Sequence, residues 1–66
     1  MNDWIKDEEN LNMIRFYADE SQQLANSIMT EAHTNHVSRK YLLEKLGDLI
    51  YDVSMLKNIC EDDTRE

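Results

Sequence analysis

The chain has 66 residues, 41% apolar and 32% charged, with one glycine, no proline and one cysteine, so it is at most one small domain and marginally stable alone. One cysteine makes no internal disulfide, no Cys/His spacing suits zinc, no apolar run approaches the ~18 residues that cross a bilayer, and no basic-then-apolar leader opens the chain. Fourteen acidic against seven basic side chains give a net charge of -7, which excludes a general binder of duplex nucleic acid, since that affinity rests on Lys and Arg meeting phosphates.

Residues 1–9 are acidic at Asp3, Asp7, Glu8 and Glu9 and apolar at Trp4 and Ile5. They read as a short N-terminal helical segment that docks on a neighbouring copy, because the rest of the chain offers Trp4 no cover; Asp7 and Asn10 are both acceptable N-caps. Helix 1 is expected over 10–33, with a heptad seam through Leu11, Ile14, Ala18, Ser21, Ala25, Ile28 and Ala32. Met13, Phe16, Tyr17, Leu24 and Met29 fall outside it. The polar run His33-Thr34-Asn35-His36 breaks the pattern, with Asn35 suited to a left-handed helix stop and Asn35 or Ser38 to the next N-cap. Helix 2 is expected over 36–60, with a seam through Leu42, Leu46, Leu49, Val53, Leu56 and Cys60. Residues 61–66 read as a frayed acidic tail, because a helix C-terminus disfavours Glu61, Asp62 and Asp63.

Two helices joined by a short turn make an antiparallel hairpin, so the fold class is all-α. Pairing residues whose numbers sum to about 70 sets small side chains of the first helix against large ones of the second, Ala25 facing Leu46 and Ala18 facing Val53. The hairpin leaves too much apolar surface for a soluble monomer. Leu43, Ile50, Tyr51, Met55 and Ile59 lie outside the second seam, while Gly47 and Ser54 share a face on which small side chains admit another helix. A homo-oligomeric helical bundle follows, with Trp4, Ile5, Phe16, Leu43, Gly47, Ile50 and Ser54 at its interface.

No glycine-rich phosphate loop, nucleophile elbow or zinc-protease signature is present, so no enzyme, cofactor or metal is expected. His33 and His36, with Glu31 near, read as turn and cap residues, since two ligands do not define a metal site. Cys60 reads as a small core residue. Asp48 and Asp52 stand four apart on one helix face, where like charges repel. Arg15 lies near Asp19 in sequence and Asp52 in register, as in a surface salt-bridge network; alternatively it is a pocket cation flanked by the rings of Phe16 and Tyr17. Tyr41 beside Arg39 and Lys40 repeats the pairing of ring and cation that holds a base and its phosphate. The start of helix 2, with free N–H groups and cations, suits an anion. Arg15, Tyr17, Arg39, Lys40, Tyr41 and Lys45 are therefore the candidate ligand-binding residues.

The run Ile14-Arg15, then Leu24-Ala25-Asn26-Ser27-Ile28, a polar turn, Leu43-Glu44-Lys45-Leu46, Met55 and Asn58-Ile59 resembles the helical hairpin of the phage proteins that sequester cyclic nucleotides, the anti-CBASS and anti-Thoeris sponge family. The resemblance spans roughly residues 14 to 59; the turn lacks proline and the chain is more acidic than the family pattern. It implies a non-catalytic, phage-encoded oligomer, cytoplasmic in a bacterial host, that binds a signalling nucleotide in pockets between protomers. The competing expectation is an acidic helical inhibitor or adaptor that binds a host protein through its charge or a helix face.

Overall fold

Two helices make up most of the structure, a computed structural model that describes residues 3–63. The first, α1, spans Glu8–Ala32 and the second, α2, spans Arg39–Asp63, and among the described residues there is no strand. They form the expected hairpin, 50 × 19 × 14 Å in extent.

The ends of the helices are set by named side chains. Asp7 is extended (φ -87°, ψ 124°), and its carboxylate accepts the Glu9 N–H at 2.9 Å. Its carbonyl takes the Leu11 N–H at 2.9 Å, so Asp7 is the N-cap and Glu8 and Glu9 occupy the first turn, where the helix dipole favours anions. Among the described residues, 3–7 are not helical, and of the N-terminal helical segment expected over 1–9 only Glu8 and Glu9 are helical, as the first turn of α1. At the other end no described non-glycine residue has a positive φ, so Asn35 does not make the left-handed stop that its residue type suggests. Side chains close this end instead. The Thr34 hydroxyl donates to the Glu31 carbonyl and the His33 ring meets the Met29 carbonyl, both at 2.8 Å, and the His33 N–H reaches the Thr30 carbonyl at 3.2 Å. The carbonyls that a glycine-type stop would satisfy are thus met without left-handed backbone. Ser38 then caps α2, its hydroxyl accepting the Tyr41 N–H at 3.1 Å.

The C-terminal turn departs from the expected frayed tail. α2 begins three residues later than predicted and stays helical through Asp63, which is only 8% exposed. Residues 64–66 lie outside the described residues. Asp63 is ill placed for its own helix dipole but sits at the N-terminal end of α1, whose dipole favours it. Its carboxylate accepts the Lys6 N–H at 2.9 Å, the Asp7 N–H at 3.2 Å and the Asn10 side-chain amide at 3.1 Å. The N-terminal segment is therefore tied to its own hairpin at Lys6 and Asp7, and Ile5 is half-buried, while Trp4 is 77% exposed.

The facing stripes are rotated by one residue at alternate positions relative to the predicted seams. On α1 the more sheltered positions include Asn10, Ile14, Tyr17, Ser21, Leu24, Ile28 and Glu31, and Ala18, Ala25 and Ala32 are exposed. On α2 they include Leu42, Lys45, Leu49, Asp52, Leu56, Ile59 and Asp63, and Leu46, Val53 and Cys60 are exposed. The Asn10–Asp63 bond fixes a register in which facing numbers sum to about 73 rather than 70. Extended along the hairpin, it sets Ile14 against Ile59, Tyr17 against Leu56, Ser21 against Asp52, and Leu24 against Leu49. The rotation has a steric reason. On α1, Tyr17 and Leu24 fill the space between helices better than Ala18 and Ala25. On α2, the rows of Leu42, Leu46 and Leu43 form an apolar arc too broad for one neighbouring helix to cover.

Little is buried as a result. Ile59, at 6% exposure, is the one fully withdrawn apolar side chain among the described residues. The hairpin exposes 5461 Å², where a compact monomer of this mass would expose about 4,400 Å². Its radius of gyration is 15.1 Å, against about 11 Å for a compact domain of this length.

Candidate functional site

Three surfaces stand out by their side chains. The first is at the turn. Tyr41 is half-buried in the first turn of α2, and the Lys45 ammonium, one turn on, lies 5.4 Å from the centre of its ring. Tyr41 also borders a cleft of about 250 Å³ shared with Asn26, Ser27, Thr30 and Glu31. Cation, aromatic face and neutral hydrogen-bonding groups therefore meet in one place, and Arg39 and Lys40 stand exposed at the head of the same helix. That helix head already carries an anion of the chain's own. The Glu31 carboxylate accepts the Ser38 N–H at 2.8 Å, which reduces the open anion site that the cations and free N–H groups suggest. The same bond gives Glu31 a structural role. His33 is held by Met29, and no group of three potential metal ligands occurs among the described residues.

Arg15 and Tyr17 do not join the turn cluster. Arg15 is about 18 Å along the helix axis from Ser27 at 1.5 Å per residue. Two residues apart on a helix, Arg15 and Tyr17 also project about 200° from one another. Arg15 is exposed and makes no ion pair with Asp19 or Asp52. Tyr17 instead packs edge-on against Phe16 at 5.2 Å and Tyr51 at 6.5 Å. Its hydroxyl is pushed above the usual tyrosine range by burial first, then by Tyr51, Asp52 and Glu20.

The second surface is an acidic cleft that sequence reasoning missed. Glu20, Leu24, Asp48, Tyr51 and Asp52 enclose about 290 Å³ on the side that bears the aromatic rings. Asp52 is 2% exposed, and its Oδ2 is buried with no hydrogen-bond partner; the buried Ser21 hydroxyl, in the same layer by register, also has none. The Glu20 carboxyl is pushed above the usual range, chiefly by its hydrogen bond with Asp52, then by burial and the charges of Asp52 and Asp48. A hydrogen bond between two carboxyl groups requires that one of them hold a proton. The available signal was the i, i+4 pair Asp48 and Asp52, but placing Val53 in the seam turns Asp52 outward.

The third surface lies on the opposite side, where Ala18, Ala25 and Ala32 of α1 run beside Leu46, Val53 and Cys60 of α2. Leu43 and Ile50 widen it, and Arg15 and Lys57 rim it. Ile50 is 64% and Val53 52% exposed. Of the residues predicted at an interface, Leu43 and Ile50 belong here. Phe16 is exposed on the acidic side, and Gly47 and Ser54 lie on the exposed back of α2, where nothing approaches within 4 Å of a Cβ built at Gly47. Trp4 and Ile5 are at the Asp63 end.

No protein-family model matches the chain, and neither a curated protein nor a solved structure is found to match it.

Proposed function

We propose that this chain is a non-enzymatic binding protein whose hairpins associate through the apolar face of Leu43, Leu46, Ile50 and Val53 and hold a signalling nucleotide at the turn. One observation supports the ligand reading most: the Lys45 ammonium over the Tyr41 ring, beside the Asn26, Ser27 and Thr30 cleft. A ring face suits a base, an ammonium suits a phosphate, and amide and hydroxyl groups suit a sugar or base edge. Arg39 and Lys40 would add charge toward the same ligand, and an oligomer would close a cleft that one hairpin leaves open. Function would then be mass action, the withholding of a signal by an abundant protein, as the resemblance to the phage sponges implies. Isothermal titration with a panel of cyclic di- and trinucleotides tests this. Saturable heat that is lost in Lys45→Ala and Tyr41→Ala supports it, and no heat with any member of the panel at concentrations where the oligomer is intact rejects it.

A second reading draws on the opposite side. Phe16 and Tyr51 are exposed beside Glu20 and Asp48, an acidic and aromatic surface suited to a basic protein. A salt-sensitive stoichiometric complex with a basic protein, abolished by Phe16→Ala and indifferent to Lys45→Ala, would favour this reading over the first.

A further inference from the structure

We propose that α2 pairs with α2 of a second copy running antiparallel to it, so that the cationic turn of each hairpin lies beside the acidic open end of the other. The pairing rests on the association proposed above and gives it an orientation, that of a two-fold dimer. Leu43, Leu46, Ile50 and Val53, with Arg39 and Lys57 at the ends, are spaced alternately four and three residues apart. They form a second heptad row on α2, about 100° round the helix from the stripe that faces α1. Leu43, Ile50 and Val53 are 61%, 64% and 52% exposed. The small side chains of Ala18, Ala25 and Ala32 stand low beside this row, so a partner meets the α2 ridge first.

Two observations outside the row say what covers it. The first is charge. Among the described residues, Asp3, Asp7, Glu8, Glu9, Glu61 and Asp62 are exposed at the open end, against Lys6 and Lys57. The turn end carries Arg39, Lys40 and Lys45 against Glu31 and Glu44. Parallel pairing would set acidic end on acidic end, whereas antiparallel pairing sets each beside a turn of opposite sign. The second is area. The hairpin exposes about 1,000 Å² more than a compact monomer of its mass, and a standard interface removes about 800 Å² from each partner. In the register that covers all four apolar side chains, facing numbers sum to about 96, with Leu43 against Val53 of the partner subunit and Leu46 against Ile50 of the partner subunit. Arg39 then comes near Lys57 of the partner subunit. Within each copy the Lys57 ammonium is held by Glu61 at 2.6 Å, so the same pair brings a carboxylate within about one turn of Arg39.

Cys60 is the only cysteine and is exposed, so a nitroxide attached to it in dilute full-length chain, which is then concentrated, reads the orientation by double electron–electron resonance. In the antiparallel register the two Cys60 positions are about 24 residues apart along the bundle, or about 36 Å. In a parallel pair they lie within about 20 Å, since packed helix axes are ~10 Å apart. The Cys60→Ser/Asp62→Cys chain repeats the measurement from an exposed position off the row, where a label leaves the interface free. A distance of about 35–45 Å is expected from both labels. Arg39→Glu/Lys40→Glu, which makes both poles acidic, should weaken dimerisation about tenfold in sedimentation. A short distance, alone or beside the long one, overturns the antiparallel pairing and leaves association standing, and so does a charge reversal that leaves dimerisation unchanged or tighter. No dipolar coupling from either label, with monomer in sedimentation, overturns the pairing and the association together.

Discussion

The carboxylate of Asp63 accepts the side-chain amide of Asn10 at 3.1 Å, joining the last described turn of α2 to the first turn of α1. With the Lys6 and Asp7 N–H groups on the same carboxylate, this residue closes the open end of the hairpin. Asp63→Ala is expected to lower the melting temperature and to speed hydrogen exchange at the Lys6 and Asp7 amides, with the turn unaffected. Equal acceleration at Ser38 and Tyr41 would show global loosening rather than release of one end.

Stability should pass through a maximum as pH changes. The hydrogen bonds from Lys6, Asn10 and Asp7 hold the Asp63 carboxyl below its ordinary range, so what it contributes is present above the unfolded value and lost as pH falls through the folded one. Glu20 has the opposite sign. Its raised folded value means that the hairpin holds this proton more tightly than the unfolded chain does. That contribution is present below the unfolded value and lost as pH rises through the folded one. Thermal melts should therefore show a maximum, falling toward acid through Asp63 and toward higher pH through the Glu20–Asp52 pair. In Glu20→Gln the decline toward higher pH should flatten and the acid-side decline remain.

How far this was legible in the sequence depends on the kind of signal. Absence of proline, helical composition and the polar run at 33–36 were enough for two helices and a hairpin, because these are local properties. Facing was harder to read. Ile14, Ser21 and Ile28 belong to two candidate stripes, one completed by Leu11, Ala18, Ala25 and Ala32 and the other by Asn10, Tyr17, Leu24 and Glu31, and an apolar count favours the first although the volume of Tyr17 and Leu24 favours the second. Leu42, Leu49 and Leu56 pose the same choice on α2, where the apolar option turns Asp52 outward and hides the acidic cleft. Asp63 is hard to read for a related reason: its own helix dipole disfavours it, while the partners that hold it are more than fifty residues away in sequence.

Gly47 provides a test of helix propensity separate from packing. A Cβ added there meets nothing within 4 Å, so Gly47→Ala should stabilise the hairpin by about 1 kcal/mol, read as a higher midpoint in urea. If another helix approaches this back face in an oligomer, the same substitution weakens association while raising the stability of the dissociated chain, which sedimentation at several concentrations would reveal.

Caps and Ile59, the single buried apolar side chain among the described residues, should dominate a hairpin with so small a core. Ser38→Ala removes the acceptor for the Tyr41 N–H and should cost about 1 kcal/mol. Ile59→Ala empties a position that is only 6% exposed and should cost ~2–5 kcal/mol, enough to unfold much of the population in a domain this small. Circular dichroism at 222 nm should therefore show a modest shift in midpoint for the first and loss of helix at ambient temperature for the second. Comparable effects would mean that the caps, rather than this side chain, hold the helices together.

Association through the apolar face has a native reporter, because Cys60 is the only cysteine in the chain and lies exposed in line with Leu46 and Val53. If copies pair over these rows, the thiol is open in dilute monomer and shielded in the assembly. Its reaction with a water-soluble disulfide reagent should then slow as protein concentration rises. Val53→Asp places a charge amid the face at a position that is 52% exposed and flanks the facing stripe of α2. It should restore fast labelling at every concentration and shift sedimentation to the monomer while helix content is retained. Labelling that is fast and independent of concentration in the parent chain would instead mean that this surface stays uncovered among copies. The excess of exposed area over a compact monomer would then have to be covered by a partner of another kind, and the broad apolar arc of α2 would be where to look for it.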